Sequence, residues 1–212
     1  MRIAVVNEGS TKHRNVDVLA ALTGFPHEVI NLGMRNEEGE PALSYMETAL
    51  ISALALNLGV ADMVVGGCGT GQGYMNAVLQ YPGVACGLLM DPTEAFLFAK
   101  VNAGNCISLQ LNKGYGGIGG DVNLRYMFQQ VFADGYGEGY PVARAEIQQQ
   151  ARLLLEGLSV TAHRPMAEIL QLANPAFVSK ALSFPGVMEC FRNAPESELR
   201  QAVLDTCSRV CG

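Results

Sequence analysis

The sequence predicts an α/β fold built on a five-stranded parallel sheet and followed by a C-terminal helical appendage. Five short apolar runs recur within the first 110 residues, and each is separated from the next by a segment long enough for a helix. This alternation is typical of parallel strands joined by crossover helices. Hydrophobic residues make up 49% of the 212 residues and charged residues 16%, which favours a globular chain with extensive buried or subunit-covered surface.

Each element has its own signal in the sequence. The strands are predicted at 2–7, 28–32, 62–66, 84–89 and 105–110, and helices at 13–23, 43–58, 73–80, 92–102 and 121–133. Asp91-Pro92 and Asp121 mark the starts of the last two helices. The glycine-rich stretch 113–120 predicts a mobile connection. A long helix with an apolar stripe is predicted over 142–158.

The pattern changes beyond the long helix. Short helical patterns at 164–173, 176–182 and 195–209 are separated by prolines at 165, 175, 185 and 195. We therefore divide the chain into an α/β domain, residues 1–158, and a helical extension, residues 159–212. The extension is expected to serve packing or subunit association.

Charge and hydropathy exclude several classes of partner. The net charge is −6 and the basic residues do not cluster, so no nucleic-acid partner is expected, because neutralising phosphates needs a positive patch. The apolar stretch 49–60 is too short to cross a bilayer. The chain opens on a strand pattern without a secretory signal, and the six cysteines have no disulfide or metal spacing. We expect a cytoplasmic protein with free thiols and no membrane partner.

The most informative segment is Gly66-Gly-Cys-Gly-Thr-Gly-Gln-Gly73, at a predicted turn from strand to helix. N–H groups at a helix start hold a phosphate or a developing oxyanion. The glycine spacing differs from the dinucleotide fingerprint, which disfavours nicotinamide chemistry. Because ligands bind beyond the carboxyl ends of parallel strands, we expect segments 7–14, 66–73 and 89–93 to converge on one crevice.

Cys68 is the candidate general base of this segment. A thiolate accepts protons from carbon acids, and a helix start favours the charged thiol. Thr70 and the N–H groups around Gly69, Gly71 and Gly73 would stabilise an enediolate, the anion formed when a proton leaves carbon next to a sugar carbonyl. This chemistry is aldose–ketose isomerisation. The alternative is a small buried cysteine in a tight turn.

A second set of candidates follows the first predicted strand. Glu8 can bind sugar hydroxyls or move protons, and Ser10, Lys12, His13 and Arg14 suit a phosphate-bearing or polyol substrate. The alternatives are that Ser10 or Thr11 caps the next helix and that Lys12 and Arg14 are solvated.

Further blocks extend the glycine motif: Tyr81-Pro-Gly-Val-Ala85, Asp91-Pro92-Thr93 and Val101-Asn-Ala-Gly-Asn-Cys-Ile-Ser-Leu109. In these blocks and their spacing, the chain resembles the ribose-5-phosphate isomerase B and galactose-6-phosphate isomerase family over about residues 1–150. The resemblance implies a Rossmann-like three-layer α/β/α sandwich and an isomerase of a phosphorylated sugar that uses no metal or cofactor. It also implies a homodimer, or a tetramer, with active sites shared between two subunits.

Site residues are carried over by position. Cys68 resembles the family's base, and Thr70 a hydroxyl beside the substrate. Asn102 resembles an amide that stabilises the enediolate, although an asparagine also suits the end of a helix. Tyr45 resembles a tyrosine at the edge of the site, and Arg144 one of two phosphate-binding arginines.

Three departures from the family pattern bear on the substrate. The Asp-His pair that the family has after the first strand is Glu8-Gly9 in this chain, and Tyr140 stands at the position of the second phosphate-binding arginine. Val101 replaces a histidine before Asn102 that the family associates with opening a furanose ring. A valine cannot shuttle a proton. One hypothesis is therefore an open-chain substrate, such as a tetrose or tetrulose 4-phosphate.

Other readings stay open at this point. His13 or Glu8 would open the ring of a pentose or hexose phosphate in place of the missing histidine. The alternative function is a non-catalytic or regulatory sugar-phosphate-binding protein. A thiol redox protein is disfavoured because Cys68 has no resolving cysteine nearby in the sequence.

Overall fold

The computed structural model describes residues 1–112 and 119–211, so most of the predicted connection at 113–120 lies outside the described residues. Its strands are β1 Arg2–Val6, β2 Glu28–Asn31, β3 Met63–Cys68, β4 Cys86–Leu89 and β5 Cys106–Gln110. They form one parallel sheet in the order β2-β1-β3-β5-β4. Each lies where a strand was predicted, with its ends within about two residues of the prediction.

The helices follow the predicted alternation. They are α1 Asn15–Leu22, α2 Tyr45–Asn57, α3 Gln72–Val78, α4 Pro92–Leu97, α5 Gly120–Val131, α6 Ala145–Ala162, α7 Met166–Leu172, α8 Pro175–Leu182, α9 Val187–Arg192 and α10 Glu198–Val210. 3-10 turns at Gly9–Arg14 and Val142–Arg144 precede α1 and α6, and a π-helical turn, Phe98–Asn102, continues α4. The sequence missed α9. No helix in the described part of the chain is long and apolar enough to span a membrane.

Two hydrophobic cores lie on opposite faces of the sheet, because successive strand residues point to opposite sides. Ile3 and Val5 of β1 pack in one core with residues of α1, α4 and α5. Ala4 and Val6 pack in the other core with residues of α2 and α3. The structure therefore confirms the predicted three-layer α/β/α sandwich.

The C-terminal helices complete the second core. Leu170, Val178, Leu182 and Val203 of α7, α8 and α10 are buried in the same cluster as α2 and α3. The sheet covers one side of α2 and α8 packs against it, so residues 47–55 of this helix are all buried. The predicted division at residue 158 falls inside α6, which continues to Ala162.

Candidate active site

The site lies at the carboxyl edge of the sheet, between β1 and β3. Helix α1, which follows β1, packs on one face, while α2, which precedes β3, packs on the other. The chain therefore turns in opposite directions on either side of this point, which is where open α/β sheets form a ligand crevice. The loops after β1 and β3 meet here as predicted.

One of the three segments predicted to line the crevice is wrong. The sequence prediction placed segment 89–93, after β4, beside the other two loops, but β5 lies between β3 and β4. Asn112, just after β5, occupies the position next to the β3 loop. Its backbone N–H donates to the Gly69 carbonyl at 3.0 Å, and its amide Nδ2 donates to the Ser10 carbonyl at 3.0 Å. The sequence reasoning missed Asn112 because the order of the strands was unknown.

Cys68 is the last residue of β3 and is 7% exposed. The predicted strand ended at residue 66, with Gly66 and Gly67 in the turn, but pairing with β5 continues to Cys68 opposite Gln110. The Cys68 carbonyl accepts hydrogen bonds from the N–H of Gly71 at 3.2 Å and from the N–H of Leu111 at 3.1 Å. The thiol is therefore carried by the rigid end of a central strand.

The turn after Cys68 needs glycine at Gly71, which has φ 72° and precedes the first residue of α3. A Cβ at this position would lie 2.5 Å from Cδ1 of Leu88. The buried Ser108 hydroxyl donates to the Gly71 carbonyl at 2.6 Å. The first turn of α3, which includes Gly73, presents N–H groups without acceptors inside the helix.

The other residues predicted around the turn lie at its surface. Thr70 is exposed, and Gly69 lies against Asn112 and the Ser10 hydroxyl. The ring of Tyr45, at the start of α2, lies 3.6 Å from the position of a Cβ on Gly73. The structure thus brings Tyr45 to the edge of the glycine turn.

Glu8 lies on the β1 side of the crevice and is 7% exposed. Its carboxylate accepts hydrogen bonds from the Ser10 N–H at 2.8 Å and from the Ser10 hydroxyl at 2.5 Å. Glu8, and not Ser10, therefore caps the turn that follows. In that turn Lys12 is half-buried and His13 is exposed, and Arg14 pairs with Asp17 at 3.6 Å.

Asn102 and Arg144 lie away from this cluster. Asn102 ends the π-helical turn just before β5, so it lies at the amino edge of the sheet, whereas Cys68 lies at the carboxyl edge. Its neighbour Asn105 donates to the Gly83 carbonyl at 2.7 Å, ahead of β4. Arg144 is exposed and follows the segment at 137–139 that hydrogen-bonds to the π-helical turn. One chain therefore does not assemble the full predicted site.

A groove of about 690 Å³ runs between β4 and α6, and Asn102 and Val101 line it. Its walls are mostly apolar and include residues of both elements, such as Leu88 and Leu155. Tyr140, at the position of the missing arginine, packs its ring edge-on to Phe96 with a centroid distance of 5.1 Å. The Tyr140 side chain is thus held against α4.

The thiol of Cys86 is less suited to proton transfer. Cys86 and Cys106 are directly opposite each other on β4 and β5. The interaction with the Cys106 thiol, together with burial, raises the pKa of Cys86, so this thiol stays protonated. Among the described residues no group of three or more His, Cys, Asp or Glu side chains is arranged to hold a metal ion.

Comparisons with known proteins identify the family. The model of the ribose/galactose isomerase family matches residues 3–138. The fold is similar to a 4-deoxy-L-threo-5-hexosulose-uronate ketol-isomerase solved with a tartrate, with 36% identity, 99% of each chain covered and a TM-score of 0.91.

Two ribose-5-phosphate isomerases are also similar. The enzyme from Vibrio parahaemolyticus is 34% identical, with 97% of this chain and 99% of that chain covered and a TM-score of 0.91. The type B enzyme from Trypanosoma brucei shares the fold at 19% identity, with 74% and 97% covered and a TM-score of 0.62. No match was found among curated proteins. The chain belongs to the ribose/galactose isomerase family and is a sugar isomerase, an intramolecular oxidoreductase.

Proposed function

We propose that the protein catalyses aldose–ketose isomerisation of an open-chain anionic sugar, with Cys68 as the base. The observation that carries this proposal is the placement of a buried thiol at the end of β3, directly before a glycine turn whose Gly69 lies against the Ser10 hydroxyl that Glu8 binds. The thiolate takes the proton from the hydroxyl-bearing carbon next to the carbonyl. The electron pair left behind forms the double bond of an enediolate, and the same thiol returns the proton to the former carbonyl carbon.

The surrounding groups have separate roles in this proposal. Thr70 and the N–H groups of the glycine turn stabilise the negative oxygen of the enediolate. The proton on the substrate hydroxyl moves to the other oxygen, and Glu8 lies on the side of the crevice where a carboxylate would assist. Tyr45 closes the edge of the pocket.

The site is completed by a second copy of the chain. Asn102 and Arg144 lie at the amino edge of the sheet or near it, so they reach a Cys68 cluster only in a partner subunit. Helix α6 supports such an assembly, because none of its residues is buried and Leu154 is 75% exposed. We therefore propose a homodimer in which one protomer supplies Cys68 and its partner supplies Asn102 and Arg144. A tetramer would pair two such dimers.

The substrate class expected from the sequence is a phosphorylated sugar, held at its phosphate by Arg144 with help from Lys12, His13 or Arg14. Val101 favours a sugar that is already acyclic, because its side chain cannot move the proton needed for ring opening. A tetrose 4-phosphate meets this condition, since its phosphate occupies the oxygen that would close a five-membered ring.

A second candidate substrate is an acyclic uronate. A 4-deoxy-5-ketouronate has no hydroxyl at C4 or C5 to close a ring. Its isomerisation therefore needs no ring-opening group at position 101, where this chain has Val101. A planar carboxylate also needs fewer cationic donors than a phosphate, which suits Tyr140 in the place of the second arginine. The similarity to the uronate ketol-isomerase over 99% of both chains supports this candidate.

The test is a substrate panel with erythrose 4-phosphate, ribose 5-phosphate, galactose 6-phosphate and a 4-deoxy-5-ketouronate. Isomer formation and solvent deuterium incorporation at the carbon next to the carbonyl would be followed by NMR. We expect turnover of an acyclic substrate and a loss of about 10²- to 10⁴-fold in Cys68→Ala. Preference for ribose 5-phosphate or galactose 6-phosphate would contradict the acyclic proposal. Binding without turnover in wild type, Cys68→Ala and Cys68→Ser would instead indicate the non-catalytic alternative.

A further inference from the structure

The end of the π-helical turn at Asn102 is fixed from outside the helix. The last carbonyls of a helix have no partners within it. Here the Ala99 and Lys100 carbonyls accept from the N–H groups of Gly137 and Gly139, each at 2.8 Å. The Val101 carbonyl accepts from Nη1 of Arg152 at 2.8 Å. The backbone that carries Asn102 is therefore held by two different elements.

Arg152 is the contribution of α6 to this arrangement. Its Nη2 donates to the Gly137 carbonyl at 2.8 Å, so one guanidinium joins the π-helical turn to the segment docked on it. The planar fork of arginine suits two such bonds at once, and a cation is favoured near the carboxyl end of a helix. The side chain is half-buried, and no ion pair engages it within residues 1–112 and 119–211.

A second cation fixes the same segment from the other side. Lys100 Nζ donates to the carbonyl of Asp134 at 2.6 Å and to that of Gly135 at 3.0 Å. Gly139 has φ 92°, and a Cβ there would lie 2.5 Å from Cα of Ala145 in α6. The segment 134–139 is thus packed tightly between the π-helical turn and α6. A change at Arg152 acts directly on the peptide that precedes Asn102.

We propose that Arg152 is a positioning residue for Asn102. The inference rests on the proposed function, in which the Asn102 amide stabilises the enediolate in a partner subunit. An amide displaced by about 1 Å loses much of its effect on a transition state, whereas substrate binding depends on many other contacts. Arg152 therefore acts on the chemical step through Asn102 without touching the substrate.

The test is a double-mutant cycle between Arg152→Ala and Asn102→Ala, with the best substrate of the panel. We expect Arg152→Ala to lower kcat about 10- to 100-fold with little change in KM. In the Asn102→Ala background, Arg152→Ala should lower kcat no further, because the group that it positions is already gone. Arg152→Lys should recover part of kcat, since an ammonium can bond to one of the two carbonyls.

Ser159→Ala is the matched control on α6. The Gly83 N–H donates to the Ser159 hydroxyl at 3.1 Å, so this variant removes a different anchor of the same helix and should keep kcat. Arg152→Met, which keeps the aliphatic stem, replaces Arg152→Ala if that variant does not fold by circular dichroism. Unchanged kcat in Asn102→Ala would overturn the proposed role of Asn102. The inference about Arg152 alone would be overturned by two results, if Asn102→Ala itself lowers kcat. Either Arg152→Ala leaves kcat unchanged, or it lowers kcat by the same factor in wild type and in Asn102→Ala.

Discussion

Cys68 is held in place by backbone geometry on both sides. Its carbonyl accepts hydrogen bonds from the N–H groups of Gly71 and Leu111, so the backbone that carries the thiol is tied both to the glycine turn and to the chain that leaves β5. Next to Cys68, Gly69 lies against the Ser10 hydroxyl, which donates to the Glu8 carboxylate at 2.5 Å. The candidate site is therefore assembled at the ends of β1, β3 and β5. Single substitutions at these strand ends should alter activity.

Gly71 gives a prediction about this backbone. Gly71→Ala should lower the free energy of unfolding by about 1–3 kcal/mol, because alanine is strained at φ 72° and its methyl group would meet Leu88. Activity should fall with it, since in the proposed mechanism the turn supplies the oxyanion donors. Chemical denaturation followed by circular dichroism measures the change. Gly157→Ala is the control: it lies in α6 with open space around the added atom and should be neutral or stabilising.

Asn112 gives a second prediction at this scale. Asn112→Ala removes the side-chain amide that holds the Ser10 carbonyl in the loop after β1, while the backbone bond to Gly69 stays, so kcat/KM should fall by about tenfold as the crevice loosens. Asn123→Ala is matched to it, because the Asn123 amide makes a similar bond, at 2.8 Å, to the Met90 carbonyl at the loop after β4. Equal activity losses in the two variants would mean that Asn112 has no special place in the site.

At the scale of elements, the sequence predicted the existence and type of strands and helices well. Apolar runs and helix caps are local signals. The cap Asp91 is an example, because its carboxylate accepts from the N–H groups of Thr93 and Glu94. The order of the strands depends on long-range contacts, which local patterns do not reveal. The prediction therefore put the loop after β4 next to the β3 loop, in the position that Asn112 occupies. Helix α9 was missed because its six residues are too few to show a period.

Helix α2 gives a prediction about pH. Its capping-box residue Glu47 accepts from the N–H of Ser44 at 2.7 Å and lies 3.4 Å from Lys180 of α8. Burial alone would raise the pKa of Glu47, but the hydrogen bonds from Ser44 and the charge of Lys180 outweigh it and hold the pKa below its ordinary 4.5. A carboxylate with a lowered pKa stabilises the fold above about pH 4.5, and this contribution is lost as the pH falls through the lowered pKa.

Glu47→Ala should therefore lower the free energy of unfolding by about 1 kcal/mol or more at pH 7, since it removes a capping interaction. The difference from wild type should shrink in acid, as the pH falls through the lowered pKa of Glu47. Urea unfolding at pH 7 and in acid measures this difference in the free energy of unfolding. Glu38→Ala, at an exposed position, should show neither effect. A difference from wild type that grows in acid would contradict this account of Glu47.

At the scale of the whole molecule, one chain does not bring all of the predicted site residues together. The resemblance to a family predicted shared sites, and the fold gives a reason: Cys68 and Asn102 lie at opposite edges of one sheet. The sequence pattern predicted an apolar stripe on the long helix but not its exposure, because burial depends on what packs against the helix. Leu154 and Val160 are more than 70% exposed on α6.

Leu154 gives a prediction about assembly. Leu154→Asp should shift the protein toward monomer and lower activity in parallel, because a charge buried in an apolar interface is costly. Size-exclusion chromatography with light scattering measures the mass over a range of concentrations. Gln149→Asp, an exposed position on the same helix, is the control. A Leu154→Asp protein that stays dimeric and active would place the subunit contact elsewhere.

The most direct test of the proposed shared site is complementation between two variants of strongly reduced activity. Cys68→Ala and Asn102→Ala, carrying different tags, would be unfolded, mixed and refolded, and mixed dimers would be checked by sequential affinity capture. We predict recovery to about a quarter of wild-type activity, because random pairing makes half of the dimers mixed and each of these holds one intact site. Mixed dimers that form but show no more activity than the separate variants would contradict a site built from Cys68 of one protomer and Asn102 of its partner.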